Sequence, residues 1–379
     1  GAKLIIGDSV LRPETLYRLK QGDFQCRIPP KHHAFSNAQQ QIINLNRVPG
    51  PFLVFSEELI NAIGDAHDKS ERFFLFVHRR GLRPLVICHD CSQIVTCHNC
   101  ATPVNLYEAN LNAGRAEENF LVCHHCGAKR SAAEKCRACD SWHLVGLGIG
   151  IDLAARELVA ALSASPAGQS AIKIFKLDSD KVKTQKQAVE IVKKFLATPG
   201  GLLLGTEMAL FYLREKIENV AVVAIDSMFA LPDYRINERI FNLLIRLRDL
   251  ASKLFLIQAR NVKSQLFDYA SRGALLEFYQ QEIAERKEYG YPPFRLFIKI
   301  SLQGQKNDVL PAMKALETKL SDYDFDLFPA WSGLNVAHYQ LNLLLRLPVT
   351  AWPTPKLLTI LRSLPPKFTV AVDPNNLIG

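Results

Sequence analysis

Short apolar runs alternate with segments of 3.6-residue periodicity along the middle of the chain. The runs Phe73–Val77, Ile172–Leu177, Leu202–Gly205, Val220–Asp226 and Leu254–Gln258 are continuous rather than alternating, the pattern of strands buried on both faces. Ser56-Glu57-Glu58 opens a helix with a capping hydroxyl and an acidic first turn. Lys181–Leu196 predicts a second helix through Val182, Val189, Val192, Phe195 and Leu196. Arg235–Leu250 predicts a third through Ile236, Ile240, Leu243, Leu244 and Leu247. Strands alternating with helices imply an α/β fold built on a parallel sheet.

The rhythm breaks at three places. Residues 28–50, with Pro29-Pro30, a polar stretch and Pro49-Gly50, read as a linker. Pro199-Gly200-Gly201 marks a sharp turn, and Pro292-Pro293 opens a different unit. In that unit Phe294–Leu302, Leu341–Leu347 and Phe368–Val372 read as strands, with helical stretches near 308–320 and 354–363. The division expected is a sheet domain over 51–87 and 144–265, an insertion over 88–143 and a small α+β domain over 266–379.

The insertion holds eight of the nine cysteines, as four Cys-x-x-Cys pairs: Cys88/Cys91, Cys97/Cys100, Cys123/Cys126 and Cys136/Cys139. Each pair sets two thiolates on one side of a tight turn, and two pairs complete a closed tetrahedral shell. Eight thiolates imply two structural zinc ions and no open catalytic position. A disulfide framework fits less well, because only Cys26 lies outside this window and no apolar signal segment opens the chain. A redox pair occurs once, not four times in register. Cys26 reads as an ordinary small apolar residue. His98, His124 and His125 neighbour the ligands and read as supporting or exposed groups.

Composition bounds the rest. At 48% hydrophobic the 379-residue chain can bury real cores, and it has no apolar run of ~18 residues, the least a membrane span needs. The net charge of +9 is uneven. Residues 1–87 carry 12 basic and 8 acidic side chains, 88–143 carry 5 and 6, 144–265 carry 17 and 12, and 266–379 carry 12 and 11. The surplus flanks the cysteine module, which is compatible with a nucleic-acid partner and equally with a merely basic protein. The chain opens on Gly1 and an apolar run, Leu4-Ile5-Ile6, so it is expected to continue something longer.

Read in order, several strings carry a resemblance. They are Phe74-Leu75-Phe76-Val77-His78-Arg79-Arg80-Gly81 before the cysteines, Gly146-Leu147-Gly148 after them, and Leu203-Leu204-Gly205-Thr206-Glu207-Met208. Then come Leu231-Pro232-Asp233-Tyr234-Arg235-Ile236-Asn237-Glu238-Arg239, Glu285-Arg286-Lys287, Tyr291-Pro292-Pro293-Phe294 and Val372-Asp373-Pro374. Over essentially the whole chain this order resembles the primosomal protein N′ (PriA) family of replication-restart helicases. The resemblance implies that 1–27 end a first helicase lobe, that 28–50 link it onward, and that 51–87 with 144–265 form a second, RecA-like lobe. It also implies nested zinc pairing, with Cys88, Cys91, Cys136 and Cys139 on one ion and Cys97, Cys100, Cys123 and Cys126 on the other. The DNA of a fork or a single strand, other replication-restart proteins and a cytoplasmic location are implied as its setting, with no membrane. Arg79 and Arg80 at a strand mouth, and Lys129 and Arg130 between cysteine pairs, are the candidate phosphate contacts. Arg137 lies within the last pair, Trp142 and Trp331 could stack on bases or fill a core, and Asp226 reads as a strand-end cap.

Departures from the family carry as much weight. A phosphate-cradling loop with Lys and an acidic magnesium motif are missing, so no catalytic residue is assigned and neither ATP nor magnesium is expected to be used by this chain. The coupling motif Gly-Ser-Ala-Thr-Pro is replaced by Gly7-Asp8-Ser9-Val10-Leu11. A Lys-Gly run after Gly205-Thr206 is replaced by Ala209-Leu210-Phe211-Tyr212-Leu213-Arg214. The arginine-finger segment, glycine-paired in the family, reads Arg246-Leu247-Arg248-Asp249-Leu250-Ala251-Ser252-Lys253. Three classes therefore compete: a motor-less, DNA-associated restart scaffold, which is preferred; a fragment of an active ATP-dependent 3′→5′ helicase; and a zinc-dependent protein-interaction module.

Overall fold

The alternating runs assemble into a six-stranded, all-parallel sheet in the computed structural model. It describes residues 10–23, 25, 36–45, 54–78, 85–91, 93–98, 104–107, 119–123, 128–147, 151–164, 172–178, 182–223, 225–229, 233–260, 262, 264–329 and 339–377. In chain order the elements are α1 (Pro13–Lys20), β1 (Gln39–Asn44), α2 (Glu57–Asp68), β2 (Phe73–Val77), β3 (Leu85–Cys88), β4 (Asn105–Tyr107), β5 (Phe120–Val122), β6 (Lys129–Ser131) and β7 (Leu144–Leu147). There follow α3 (Ile151–Ala164), β8 (Ile174–Leu177), α4 (Gln185–Leu196), β9 (Leu202–Gly205), α5 (Glu207–Tyr212), β10 (Ile217–Val223), α6 (Asp226–Phe229), α7 (Ile236–Leu250), β11 (Ala251–Ala259) and α8 (Gln265–Arg272). The last are α9 (Leu275–Tyr289), β12 (Arg295–Gly304), α10 (Lys306–Lys319), β13 (Phe325–Pro329), β14 (Tyr339–Pro348), α11 (Pro355–Arg362) and β15 (Phe368–Val372). The described residues fall into two compact units, one within 33–231 and 240–273, the other within 1–32, 232–239 and 274–379.

In the first unit the strand order is β1-β11-β10-β2-β9-β8. Phe73 pairs with Asn219 on one side and Leu202 on the other, so the run before the cysteines and the runs after them share one sheet. Phe73, Leu75, Val77, Leu202, Leu204, Ala221 and Val223 face α2 and α3, which supply Leu59, Ile63, Ala154, Leu158 and Leu162. Phe175 meets Phe195 edge to face at 6.1 Å, which sets α4 on the opposite face. A Cβ at Gly205 would lie 2.9 Å from that of Ala209 and 3.0 Å from the Phe74 ring, so only glycine lets α5 pack there. Each fully buried Phe or Leu in this core contributes about 2 kcal/mol of burial.

Polar groups are satisfied where chains enter the core. The Ser56 hydroxyl accepts from Leu59 N–H at 3.2 Å and caps α2. Ser56 N–H donates to buried Gln258 Oε1 at 2.7 Å, and Gln258 Nε2 donates to Val54 O at 2.7 Å. Three expectations shift. The second helix starts at Gln185 rather than Lys181, because Thr184 and Gln187 form a capping box. The fourth strand ends at Val223, and Asp226 opens α6 with its carboxylate accepting Arg260 N–H at 2.9 Å. Residues 39–44, inside the stretch read as a linker, pair in parallel with β11 as an edge strand.

The second unit carries an antiparallel sheet in the order β13-β14-β12-β15. Ile298, Ile300, Leu302, Leu341, Leu343 and Leu345 pack under Val309, Met313 and Leu316 of α10 and Leu357 of α11. The same unit holds a buried ionic cluster. Arg286 donates to Glu238 at 2.9 Å and lies 2.7 Å from Glu282 and 2.9 Å from Glu14. Arg235 lies 2.7 Å from Glu14 and donates to Asp373 at 3.1 Å.

Candidate metal centre

Between β2 and α3 the chain leaves the parallel sheet and forms a small antiparallel one, in the order β6-β5-β4-β3-β7. It begins at Leu85 and closes at Leu147, so it is wider than the 88–143 window of the cysteines. Leu144–Leu147 therefore belong to this module and not to the parallel sheet. Val86, Val104 and Leu121 form its core together with Cys97 and Cys123. A core this small cannot hold such short strands without a further cross-link.

The cross-link site lies where β3 ends. Cys88 closes β3, and the turn through His89 and Asp90 brings Cys91 round to it. The turn Cys136–Cys139 closes with Asp140 N–H donating to Cys136 O at 2.9 Å and Asp140 at positive φ. Cys88 Sγ is 3.5 Å from Cys139 Sγ, and Cys91 Sγ is 3.6 Å from Cys136 Sγ. All four sulfurs lie within 4.8 Å of one another. A zinc–sulfur bond of about 2.3 Å gives a tetrahedron with sulfur–sulfur edges of about 3.8 Å. Two edges, at 3.5 and 3.6 Å, lie close to that value, and the remaining four are under 4.8 Å.

The thiol chemistry agrees with a cation. Burial pushes the Cys136 thiol up, but the N–H groups of Ala138 and Cys139 and the neighbouring sulfurs bring it down to about 7. The Ser141 N–H favours the Cys139 thiolate, yet the sulfurs of Cys91 and Cys88 hold its proton, pushed up to about 12. Four adjacent sulfurs cannot all ionise by themselves. A divalent ion removes that conflict by deprotonating each ligand.

The other expected site residues divide. Cys97 and Cys123 are buried in the module core. Cys100, Cys126, His124, His125, Arg79, Arg80 and Trp331 lie outside the described residues. Lys129 is exposed, its ammonium 3.5 Å from the Phe120 ring centroid. Arg130 is engaged inside the module, donating to both oxygens of Glu134 at 2.8 and 2.9 Å and to Thr96 O at 2.9 Å. His98 lies 3.8 Å from Glu134, with burial and the Arg130 charge lowering its pKa. Trp142 is 64% exposed beside Lys135. His89, Asp90 and His143 carry no ligand spacing in the sequence, and they come together because Cys88 pairs with Leu144.

In the stretch read as a failed arginine finger, α7 runs to Leu250 and β11 begins at Ala251, with no loop between them. Arg246 is exposed, 6.0 Å from the Phe211 ring centroid. Arg248 is buried, and that burial lowers its pKa. Among the described residues no helix is long and apolar enough to cross a membrane.

No family model matches the chain. Individual relatives do. The replication restart protein PriA of Borreliella burgdorferi is 26% identical over 315 residues, 81% of this chain and 45% of the relative. That of Treponema pallidum is 25% identical over 357 residues, 91% of this chain and 52% of the relative. That of Helicobacter pylori is 29% identical over 246 residues, 62% and 36% respectively. The chain thus spans about half, or less, of the length of the curated relatives it matches.

Proposed function

The chain belongs to the family of the replication restart protein PriA, and from that premise we propose that it is a DNA-associated restart scaffold without a working motor. In this reading the parallel sheet is the second RecA-like helicase lobe. The module spanning 85–147 is a double zinc insertion on it. Cys88, Cys91, Cys136 and Cys139 hold one ion, and Cys97, Cys100, Cys123 and Cys126 hold the other. Both ions are structural, tying turns that the short strands alone cannot fix.

The observation that carries the motor-less reading is the passage from α7 directly into β11. An arginine finger must reach a phosphoryl group across a lobe interface, and it is worth roughly 10³–10⁵ in rate. Here Arg248 is turned into packing and Leu250 leads straight into strand. The exposed Arg246 rides on a regular helix without the glycines that shape a finger loop.

DNA is the proposed partner, as forked or single-stranded substrate, together with other restart proteins. The excess of basic over acidic residues in 144–265 supports contact through phosphates. Lys129 and the sequence pair Arg79 and Arg80 are the proposed contacts. Arg130 contributes less, since Glu134 neutralises it. A salt titration with forked DNA tests this. Log affinity should fall linearly with log salt, by about 0.9 per neutralised phosphate on duplex. Binding that ignores salt, or no binding at low salt, would leave the zinc-dependent protein-interaction module as the better reading.

A further inference from the structure

We infer that His89, Asp90 and His143 form a further, open metal site beside the thiolate centres of the cysteine module, suited to a borderline divalent ion of the zinc, nickel or copper class. The site follows from strand register. Cys88 lies opposite Leu144, so the next opposed pair is 89 and 143. His89 N–H donates to His143 O at 2.8 Å and carries the ladder one step further. Opposed residues share a face of the sheet, and the two imidazole centroids are 6.2 Å apart with the rings nearly perpendicular, at 89°. His143 N–H in turn donates to Ser141 Oγ at 3.0 Å, which fixes the approach to the strand.

Asp90 supplies the third arm from inside the Cys88–Cys91 turn. Its carboxylate oxygens lie 3.1 Å from His89 Nδ1 and 3.4 Å from His143 Nδ1. A ring N–H to carboxylate hydrogen bond is ordinarily about 2.7–3.2 Å, so the His143 contact is long for one. Both separations match the edge of a tetrahedron with metal–ligand bonds of about 2.0–2.1 Å, which is about 3.3 Å. The three ligand atoms all lie within 4.8 Å of one another.

The donor set selects the ion. Two imidazoles and one carboxylate suit zinc, nickel and copper, whereas calcium and magnesium ask for oxygens throughout. Exposure distinguishes this site from the four-sulfur one. The side chains are 22%, 45% and 73% exposed for His89, Asp90 and His143, so water completes the coordination and the ion exchanges freely.

The test uses the untagged full chain loaded with zinc and then dialysed until only thiolate-held zinc remains, titrated calorimetrically with Ni²⁺ alone and followed by native mass spectrometry. One further Ni²⁺ should bind per chain while the zinc stays in place. His143→Ala, at the most exposed ligand, should weaken that event at least about tenfold, as losing a ligand exceeds the 10–100-fold effects of ligand supports. Asp90→Asn should weaken it too, and both variants should keep the parent's zinc content and melting temperature. With Cu²⁺ in place of Ni²⁺, electron paramagnetic resonance should show hyperfine coupling to two imidazole nitrogens, reduced to one in His143→Ala. Unchanged Ni²⁺ affinity in His143→Ala, or Ni²⁺ that displaces zinc instead of adding to it, would overturn the assignment and leave a hydrogen-bonded His-Asp-His trio.

Discussion

Among the described residues Arg286 is the largest fully buried side chain, and three carboxylates surround it. Burial works against its charge, but Glu282, Glu14 and Glu238 outweigh burial and hold its pKa well above the ordinary arginine value. Removing the cation leaves buried Glu282 without its partner and leaves Glu14 and Glu238 to share Arg235. Arg286→Met should therefore cost about 3–5 kcal/mol, read as a lowered urea midpoint. A loss under about 1 kcal/mol would show that the cluster relaxes without it. Asp233, Arg235, Glu238 and Arg286 were all visible in the sequence as motif strings. Their burial was not, because an Arg-Glu pattern on a helix face looks the same whether water or a second helix lies opposite. A second residue-level prediction concerns acid. Glu218 accepts from Arg72 Nε at 2.9 Å and Nη2 at 2.8 Å, and this bond, against some burial, lowers its pKa. A depressed carboxylate stabilises the fold above its unfolded pKa, and that share is lost as pH falls through the folded value. The stability gap between the parent and Glu218→Gln should thus be full at neutral pH and shrink as pH falls below the ordinary Glu value of about 4.3. A gap that stays constant with pH would refute the pairing.

At the scale of elements, the most legible pieces were those bounded by turn residues. Leu202–Gly205 follows Gly200-Gly201 and is a strand over the residues expected, as is Phe368–Val372. The strand β1 was missed because Gln39-Gln40-Gln41 shows no apolar alternation, and an edge strand needs only one neighbour. The module strands β4, β5 and β6 are three residues each, below what periodicity can register. Of the candidate site, the spacing of Cys88/Cys91 and Cys136/Cys139, whose sulfurs come together, was legible. The His89–His143 register was not, since it depends on a β3–β7 pairing across more than fifty residues. If the four-sulfur centre holds the module, Cys88→Ser should release its metal and abolish exchange protection in β3 and β7. Protection in β9 and β10 should persist, because their cores are separate. Simultaneous loss of protection in both sheets would mean that the module is no independent cross-link. Gly205→Val should cost about 1–3 kcal/mol by driving α5 off Phe74, checked by thermal denaturation.

For the whole molecule, a parallel sheet and a cysteine module appear together, and the segment from Arg246 to Lys253 is proposed to be an altered finger. The proposed account keeps the scaffold and gives up the motor. Two consequences separate it from a working helicase. Metal analysis of reduced protein should return two zinc ions per chain, since the module is proposed to be structural regardless of ATP. Turnover should be lost even when a phosphate-binding lobe is supplied. The most direct test is a chimera that joins an intact first lobe from another family member to this chain, assayed for DNA-stimulated ATP hydrolysis on forked substrate. With Arg248 buried and α7 continuous into β11, turnover should fall at least about 10³-fold below that of the intact family member. Turnover equal to the intact member's would contradict the account and establish the chain as part of an active helicase.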